Sequence, residues 1–104
     1  MSDQALERRR GIEAVVHGHV QGVGFRWFVI SCASQLGITG WVANRADGTV
    51  EVVAEGEPAS LEALLGALRD GPPGAEVTEV DVTDRPAVHR MSRFEIRSGF
   101  HPGD

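Results

Sequence analysis

From Gly11 to Gly18 the chain sets Ile12, Ala14 and Val16 against Glu13, Val15 and His17, the period-two alternation of a half-covered β-strand. Phe25 to about Leu36 follows another rule. Phe25, Val29, Cys32, Ala33 and Leu36 recur at helical spacing, Trp27 and Ile30 widen the stripe, and Gly37 supplies a stop. Ile38–Asn44 predicts a second strand anchored by Trp41, and Thr49–Glu55 a third with Val50, Val52 and Ala54 turned inward. The turn-forming cluster Asn44-Arg45-Ala46-Asp47-Gly48 between them makes the pair a β-hairpin. Pro58 suits a helical first turn, and Leu61, Leu64, Leu65 and Leu68 give that second helix its apolar stripe. Gly66 inside it costs about 1 kcal/mol relative to alanine, which close packing on a sheet would explain. Gly71-Pro72-Pro73-Gly74 breaks the chain, and Val77–Thr83 predicts a fourth strand through Val80 and Val82. Residues 84–92 form a polar loop, and Phe94-Glu95-Ile96-Arg97 adds a short last strand.

The order is βαββαβ with a short extra C-terminal strand. Its compact solution is an α+β fold, a ferredoxin-like α/β sandwich with two helices on one face of an antiparallel sheet. In that topology the first two strands run parallel with the third between them, so both end at the same sheet edge. The segment after Gly18 and the strand end at Asn44 then face each other about 10 Å apart, two strand steps of ~4.8 Å. Residues 1–10 are expected to form a flexible N-terminal extension, 11–97 a single domain, and 98–104 a Gly/Pro-containing tail.

Composition narrows the function. A length of 104 residues allows one domain with a real core. No apolar run approaches the ~20 residues of a membrane span, and Met1–Arg10 has no apolar stretch that would make a signal peptide. A cytoplasmic monomer is the expectation. The net charge of −5 argues against nucleic-acid or anionic-membrane binding through a basic surface, and Arg8-Arg9-Arg10 is expected to be a solvated tail. All ten basic residues are arginine, which removes Schiff-base chemistry and a P-loop lysine together. Cys32 is alone, so no intramolecular disulfide or cysteine metal cluster forms, and a buried helix position is its expected use. His17 and His19 flank Gly18, but no third ligand is near in sequence and His89 and His101 are remote, so no metal is expected.

Between the first strand and the first helix lies Gly18-His19-Val20-Gln21-Gly22-Val23-Gly24, then Phe25-Arg26. Two uses fit such a loop: a bare chain reversal and an anion cradle. Glycines let successive backbone N–H groups turn toward one point, the following helix N-terminus favours negative charge there, and the Arg26 guanidinium matches phosphate oxygens. Familiar phosphate loops do not fit. No Lys-Ser or Lys-Thr completes a Walker A, Trp27 stands where a dinucleotide fingerprint needs its third glycine, and Val20 where a cysteine phosphatase needs its thiol. The aromatic group Phe25, Trp27 and Phe28 is expected to pack into the core rather than line a ligand box.

Val16-x-Gly18-x-Val20-Gln21-Gly22-Val23-x-Phe25-Arg26 resembles, without a gap, the phosphate-loop signature of the acylphosphatase family. Gly40-Trp41-Val42-Ala43-Asn44, followed by Gly48, Val50 and Gly56, resembles that family's second signature at the same spacing. The resemblance runs from about Gly11 to Arg97. It implies hydrolysis of a small-molecule acyl phosphate, a mixed anhydride, to a carboxylate and inorganic phosphate, with no metal and no cofactor. It also implies that backbone N–H groups of Gly18, His19, Val20, Gln21, Gly22, Val23 and Gly24, with the Arg26 guanidinium, hold the phosphoryl group. Asn44 is implied to hold the attacking water, so Arg26 and Asn44 are the expected catalytic residues.

The physical chemistry stands beside this. Carboxylate is a good leaving group, so a loose phosphoryl-transfer transition state chiefly needs charge stabilisation and in-line placement. Asparagine takes up no proton at neutral pH, so a bound phosphate oxygen is expected to accept the water's proton. Asp47, next to Gly48, is expected to serve the turn rather than act as a base. The chain departs from the family at His19, where a longer basic residue is usual, and beyond Arg97, where the family usually stops with an aromatic residue. Met1–Arg10 also lies outside the resemblance.

Other functions use the same fold. Acylphosphatase-like domains occur within larger carbamoyl-transfer proteins that mature hydrogenases, which keeps carbamoyl phosphate as a substrate. A non-catalytic small-anion-binding module would differ only in lacking turnover. RNA recognition on the sheet is disfavoured, because Thr49–Glu55 offers no aromatic for base stacking and carries Glu51 and Glu55.

Overall fold

A computed structural model describes residues 8–97. The elements are β1 (Arg10–His19), α1 (Phe25–Gln35), β2 (Thr39–Asn44), β3 (Val50–Gly56), α2 (Pro58–Asp70), β4 (Glu76–Arg85) and β5 (Phe94–Ile96). They form one five-stranded sheet in the order β4-β1-β3-β2-β5. β3 pairs antiparallel with both β1 and β2, so those two run parallel on either side of it. Among the described residues no helix is long and apolar enough to cross a membrane.

Alternation in the strands and the helical stripes build one core. Ile12, Ala14 and Val16 of β1, Val42 of β2, and Val50, Val52 and Ala54 of β3 are buried with Phe25, Val29 and Ala33 of α1 and the four α2 leucines. Each large apolar side chain so buried contributes about 1.5–3 kcal/mol. α1 closes as its sequence predicts: the Gly37 N–H donates to the Ser34 carbonyl and the Ile38 N–H to the Ala33 carbonyl, a Schellman stop. Pro58 starts α2 in the first turn. Partial burial pushes the Cys32 thiol pKa up, keeping it in the unreactive thiol form.

The structure corrects several expectations. The sheet is mixed rather than antiparallel, because β5 pairs parallel with β2. β4 ends at one edge of the sheet, and the chain must reach the other edge before β5 can form. It does so over the face away from the helices, where Glu55 accepts hydrogen bonds from the Val88 and His89 N–H groups, each at 2.9 Å. That crossing explains why Glu55, on the side of β3 opposite the core residues Val52 and Ala54, is only 1% exposed. β4 also runs on through Asp84 and Arg85, which pair with Ile12 and Gly11. At the other terminus, the arginine triplet is not simply solvated. Arg10 opens β1, and Arg9 donates to Thr39 Oγ1 at 2.9 Å and to the Glu55 carbonyl at 3.0 Å.

Side-chain placement differs at three further positions. Trp41 alternates with the core residue Val42 and so lies on the outer face, with the Arg97 guanidinium 4.8 Å from its ring centroid. Trp27 does not join the core. Its neighbours Phe25 and Phe28 meet edge to face at 6.0 Å, whereas Trp27 is 69% exposed. Gly66 is not a close-packing position, since a methyl group there would meet no atom within 4 Å beyond the adjoining backbone of its own helix. The 98–104 tail and residues 1–7 lie outside the described residues.

Candidate active site

β1 and β2 deliver their C-terminal ends to one edge of the sheet. Val16 and Asn44 both pair with Val50, on opposite sides of it, which sets their backbones about 10 Å apart at ~4.8 Å per strand step. Asn44 shares the face of Val42 and is therefore directed to the helix side, where it is only 4% exposed. The loop from Val20 to Gly24 turns onto that same side and opens α1.

Backbone conformation shapes the loop. Between His17 and Gly18 the β1–β4 register shifts, with His17 opposite Glu79 and Gly18 opposite Val77. Gly18 sits at φ +126°, and a β-carbon there would stand 2.0 Å from the Glu76 carbonyl oxygen, so the strand can bend here only with glycine. At the far end Gly24 caps α1 in a left-handed conformation (φ 78°, ψ 19°) without a side-chain hydrogen bond, and the first turn of α1 carries no acid. The positive end of the helix therefore meets no carboxylate from its own first turn.

A cavity of about 340 Å³ lies at this edge, lined by Val20, Gly22, Gly24, Phe25, Arg26, Trp27 and Asn44. It gathers five of the residues expected from sequence: Val20, Gly22, Gly24, Arg26 and Asn44. Gly18, His19, Gln21 and Val23 are outside its lining; Gly18 and His19 still belong to β1, opposite Val77 and Glu76. Gln21 has a different side-chain task. Its Nε2 donates to the Arg45 carbonyl at 2.8 Å and the Thr49 carbonyl at 2.9 Å, tying the loop to the hairpin that follows Asn44.

Asp47 holds the other side of that hairpin. Its Oδ1 accepts from the Thr49 hydroxyl at 2.6 Å and from the Thr49 N–H at 3.0 Å. Those two bonds, the hydroxyl first, hold the Asp47 carboxyl below its ordinary range. Its carboxylate serves the turn, as expected from its place before Gly48.

A model of the acylphosphatase family matches residues 12–96. The chain belongs to the acylphosphatase family. Among its relatives, the acylphosphatase of Thermococcus kodakarensis is 55% identical over 67 residues, which are 64% of this chain and 74% of the relative. That of Acaryochloris marina is 45% identical over 85 residues, 82% of this chain and 90% of the relative. The structure of an acylphosphatase from Coxiella burnetii superposes with a TM-score of 0.86 at 40% identity, covering 92% of this chain and all of that one (100%). Acylphosphatase membership and the ferredoxin-like fold thus agree with what the two sequence signatures imply.

Sequence reasoning missed two features of this acylphosphatase edge. Trp27 was assigned to the core because it falls beside the apolar stripe, yet its place in the third position of α1 turns it to the cavity. No third ligand lies near His17 and His19 in sequence. β4 supplies polar partners for His17: its Nε2 lies 2.9 Å from Asp81 Oδ2, and the ligand-type atoms of His17, Glu79 and Asp81 all fall within 4.8 Å of one another. A hydrogen bond between the two carboxyl groups, with the His17 bond second for Asp81, lowers the Asp81 pKa and raises that of Glu79. The signal for this cluster was the β1–β4 register, which single-strand patterning does not contain.

Proposed function

We propose that this acylphosphatase hydrolyses acyl phosphates in the cavity between the glycine loop and Asn44. The phosphoryl group is held by the Arg26 guanidinium and by backbone N–H groups of the loop that follows β1, which lines the cavity at Val20, Gly22 and Gly24. The water is held by the Asn44 carboxamide. The observation that carries this assignment is the convergence on one cavity of the loop with the adjoining Arg26 and of Asn44 from the end of β2.

The chemistry follows from what those groups offer. Water attacks phosphorus while the bond from phosphorus to the acyl oxygen breaks, and the electron pair leaves with the carboxylate. Charge accumulates on the equatorial phosphoryl oxygens, where Arg26 and the N–H groups act. The Asn44 amide oxygen accepts a hydrogen bond from the water and fixes its line of approach. Because Asn44 takes no proton, the water's proton passes to a phosphoryl oxygen, and the product is inorganic phosphate. Arg26 and the loop neutralise the anion, so turnover is expected to persist in EDTA. The reading takes the enzyme as a monomer acting on a small molecule in the cytoplasm, as expected from length and composition.

The test compares wild type, Arg26→Ala and Asn44→Ala on benzoyl phosphate with EDTA present, with inorganic phosphate as competing inhibitor. Arg26→Ala is expected to lose both phosphate inhibition and turnover. Asn44→Ala is expected to keep phosphate inhibition and lose turnover by about 10²-fold or more. Wild-type rates in either variant would remove that residue from the mechanism.

A further inference from the structure

We propose that Trp27 determines specificity for the acyl half of the substrate, its indole packing against an aromatic acyl group while Arg26 holds the phosphoryl group. The inference rests on the phosphate cradle proposed above and extends it to the part of the substrate that the cradle does not touch.

Exposure first separates Trp27 from the core. It is 69% exposed, more than any other large apolar side chain among the described residues, while Phe25 two positions before it is 2% exposed. Tryptophan carries a large apolar surface whose exposure is unfavourable, and nothing in the packing of α1 requires it at this position. Yet it lines the same cavity as Arg26 and Asn44.

The cavity has room for more than phosphate. Its volume of about 340 Å³ falls within the ~300–1,000 Å³ of small-molecule sites. The lining is also divided in character. Arg26, Asn44 and the backbone at Gly22 and Gly24 are polar, whereas Val20, Phe25 and Trp27 are apolar; with Val20 and Phe25 buried, Trp27 offers the accessible apolar area. An acyl phosphate has the same division, an anionic end joined to a carbon end.

The position within the helix completes the argument. Trp27 is the third residue of α1, where acids are commonly favoured by the helix dipole. An acid there would repel a phosphoryl group beside Arg26. An indole leaves the positive field intact and adds a flat face for offset stacking. A benzoyl group is planar and long enough to use that face, whereas an acetyl group offers one methyl.

Wild type, Trp27→Ala, Trp27→Gln and Trp27→Phe are compared on benzoyl phosphate and acetyl phosphate, with circular dichroism to confirm folding. The readout is the ratio of kcat/KM for benzoyl over acetyl phosphate. Alanine and glutamine are expected to lower that ratio about tenfold, through KM for benzoyl phosphate, and phenylalanine to restore most of it. A ratio unchanged in both truncations overturns the proposal, even if both rates fall together. Failure of the cradle is visible separately: Arg26→Ala with wild-type phosphate inhibition and turnover would overturn that assignment, whatever the Trp27 ratio shows.

Discussion

The side-chain amide of Gln21 donates to the Arg45 carbonyl 2.8 Å away, and the same nitrogen reaches the Thr49 carbonyl at 2.9 Å. One side chain thus joins the loop that opens the cavity to the hairpin whose first strand ends at Asn44. The two halves of the site come from β1 and β2, with β3 between them, and their backbones share no direct strand pairing. Under the proposed mechanism Gln21 is a positioning residue, setting the distance from the loop to Asn44.

Gln21→Ala is therefore expected to lower kcat on an acyl phosphate by about 10- to 100-fold, the scale for a misplacement near 1 Å. Inhibition by inorganic phosphate should change less, because the loop N–H groups and Arg26 remain. Gln21→Glu is expected to do more harm than alanine, since it turns a carboxylate toward two carbonyl oxygens. Steady-state kinetics with phosphate inhibition checks both. Equal losses of inhibition and turnover in Gln21→Ala would show that the side chain shapes the cradle itself.

Much of this was legible in the sequence. Residues such as Ile12, Ala14 and Val16 set a period, and a period fixes which face is buried. The edge shared by the loop and Asn44 followed from topology alone. What was not legible depends on pairing across distance. The parallel β5, the burial of Glu55 and the His17–Asp81 contact arise where the chain returns to a strand already formed. Trp27 was misread because an apolar residue near an apolar stripe looks like core, whether its function is packing or contact with a ligand.

Glu55 gives the second prediction. Its two carboxylate oxygens each accept one backbone N–H at 2.9 Å, from Val88 and His89, and so hold the crossing that leads to β5. Glu55→Ala removes both charge-assisted bonds and leaves two amides without that acceptor, a cost of about 3 kcal/mol. Glu55→Gln keeps one acceptor oxygen but turns an N–H₂ toward the other amide, so it should recover little. Urea unfolding monitored by circular dichroism measures both. A loss under about 0.5 kcal/mol in the alanine variant, the scale of an ordinary surface change, would mean the crossing is held by other contacts.

Asp47 makes the hairpin sensitive to acid. The Thr49 hydroxyl and N–H favour its ionised form and lower its pKa in the folded state. The unfolded state therefore takes up the proton first as pH falls, and folding has its full gain from Asp47 above the ordinary aspartate value of about 3.9. That gain should be complete at neutral pH and disappear as pH drops through the lowered folded value. Asp47→Asn keeps the acceptor oxygen and loses the charge. The stability difference between wild type and Asp47→Asn should be constant from about pH 6 to 8 and shrink below about pH 4. A difference that grows in acid would contradict the direction of the shift.

Gly66 offers a gain in stability. It lies inside α2, where glycine is about 1 kcal/mol less favourable than alanine because the unfolded chain has more freedom to lose. Tight packing would have justified it, but an added methyl group meets no atom within 4 Å beyond its own helix backbone, and the backbone there is not left-handed. Gly66→Ala should therefore stabilise the protein by about 0.5–1 kcal/mol, raising Tm by about 2–8 °C in a domain of this size. The substitution lies on α2, whereas the cavity is lined from the 20–27 segment and Asn44. Turnover of acyl phosphates should then match wild type. Thermal unfolding followed by circular dichroism decides it: a lower Tm would show that α2 needs the missing side chain, as the sequence alone suggested.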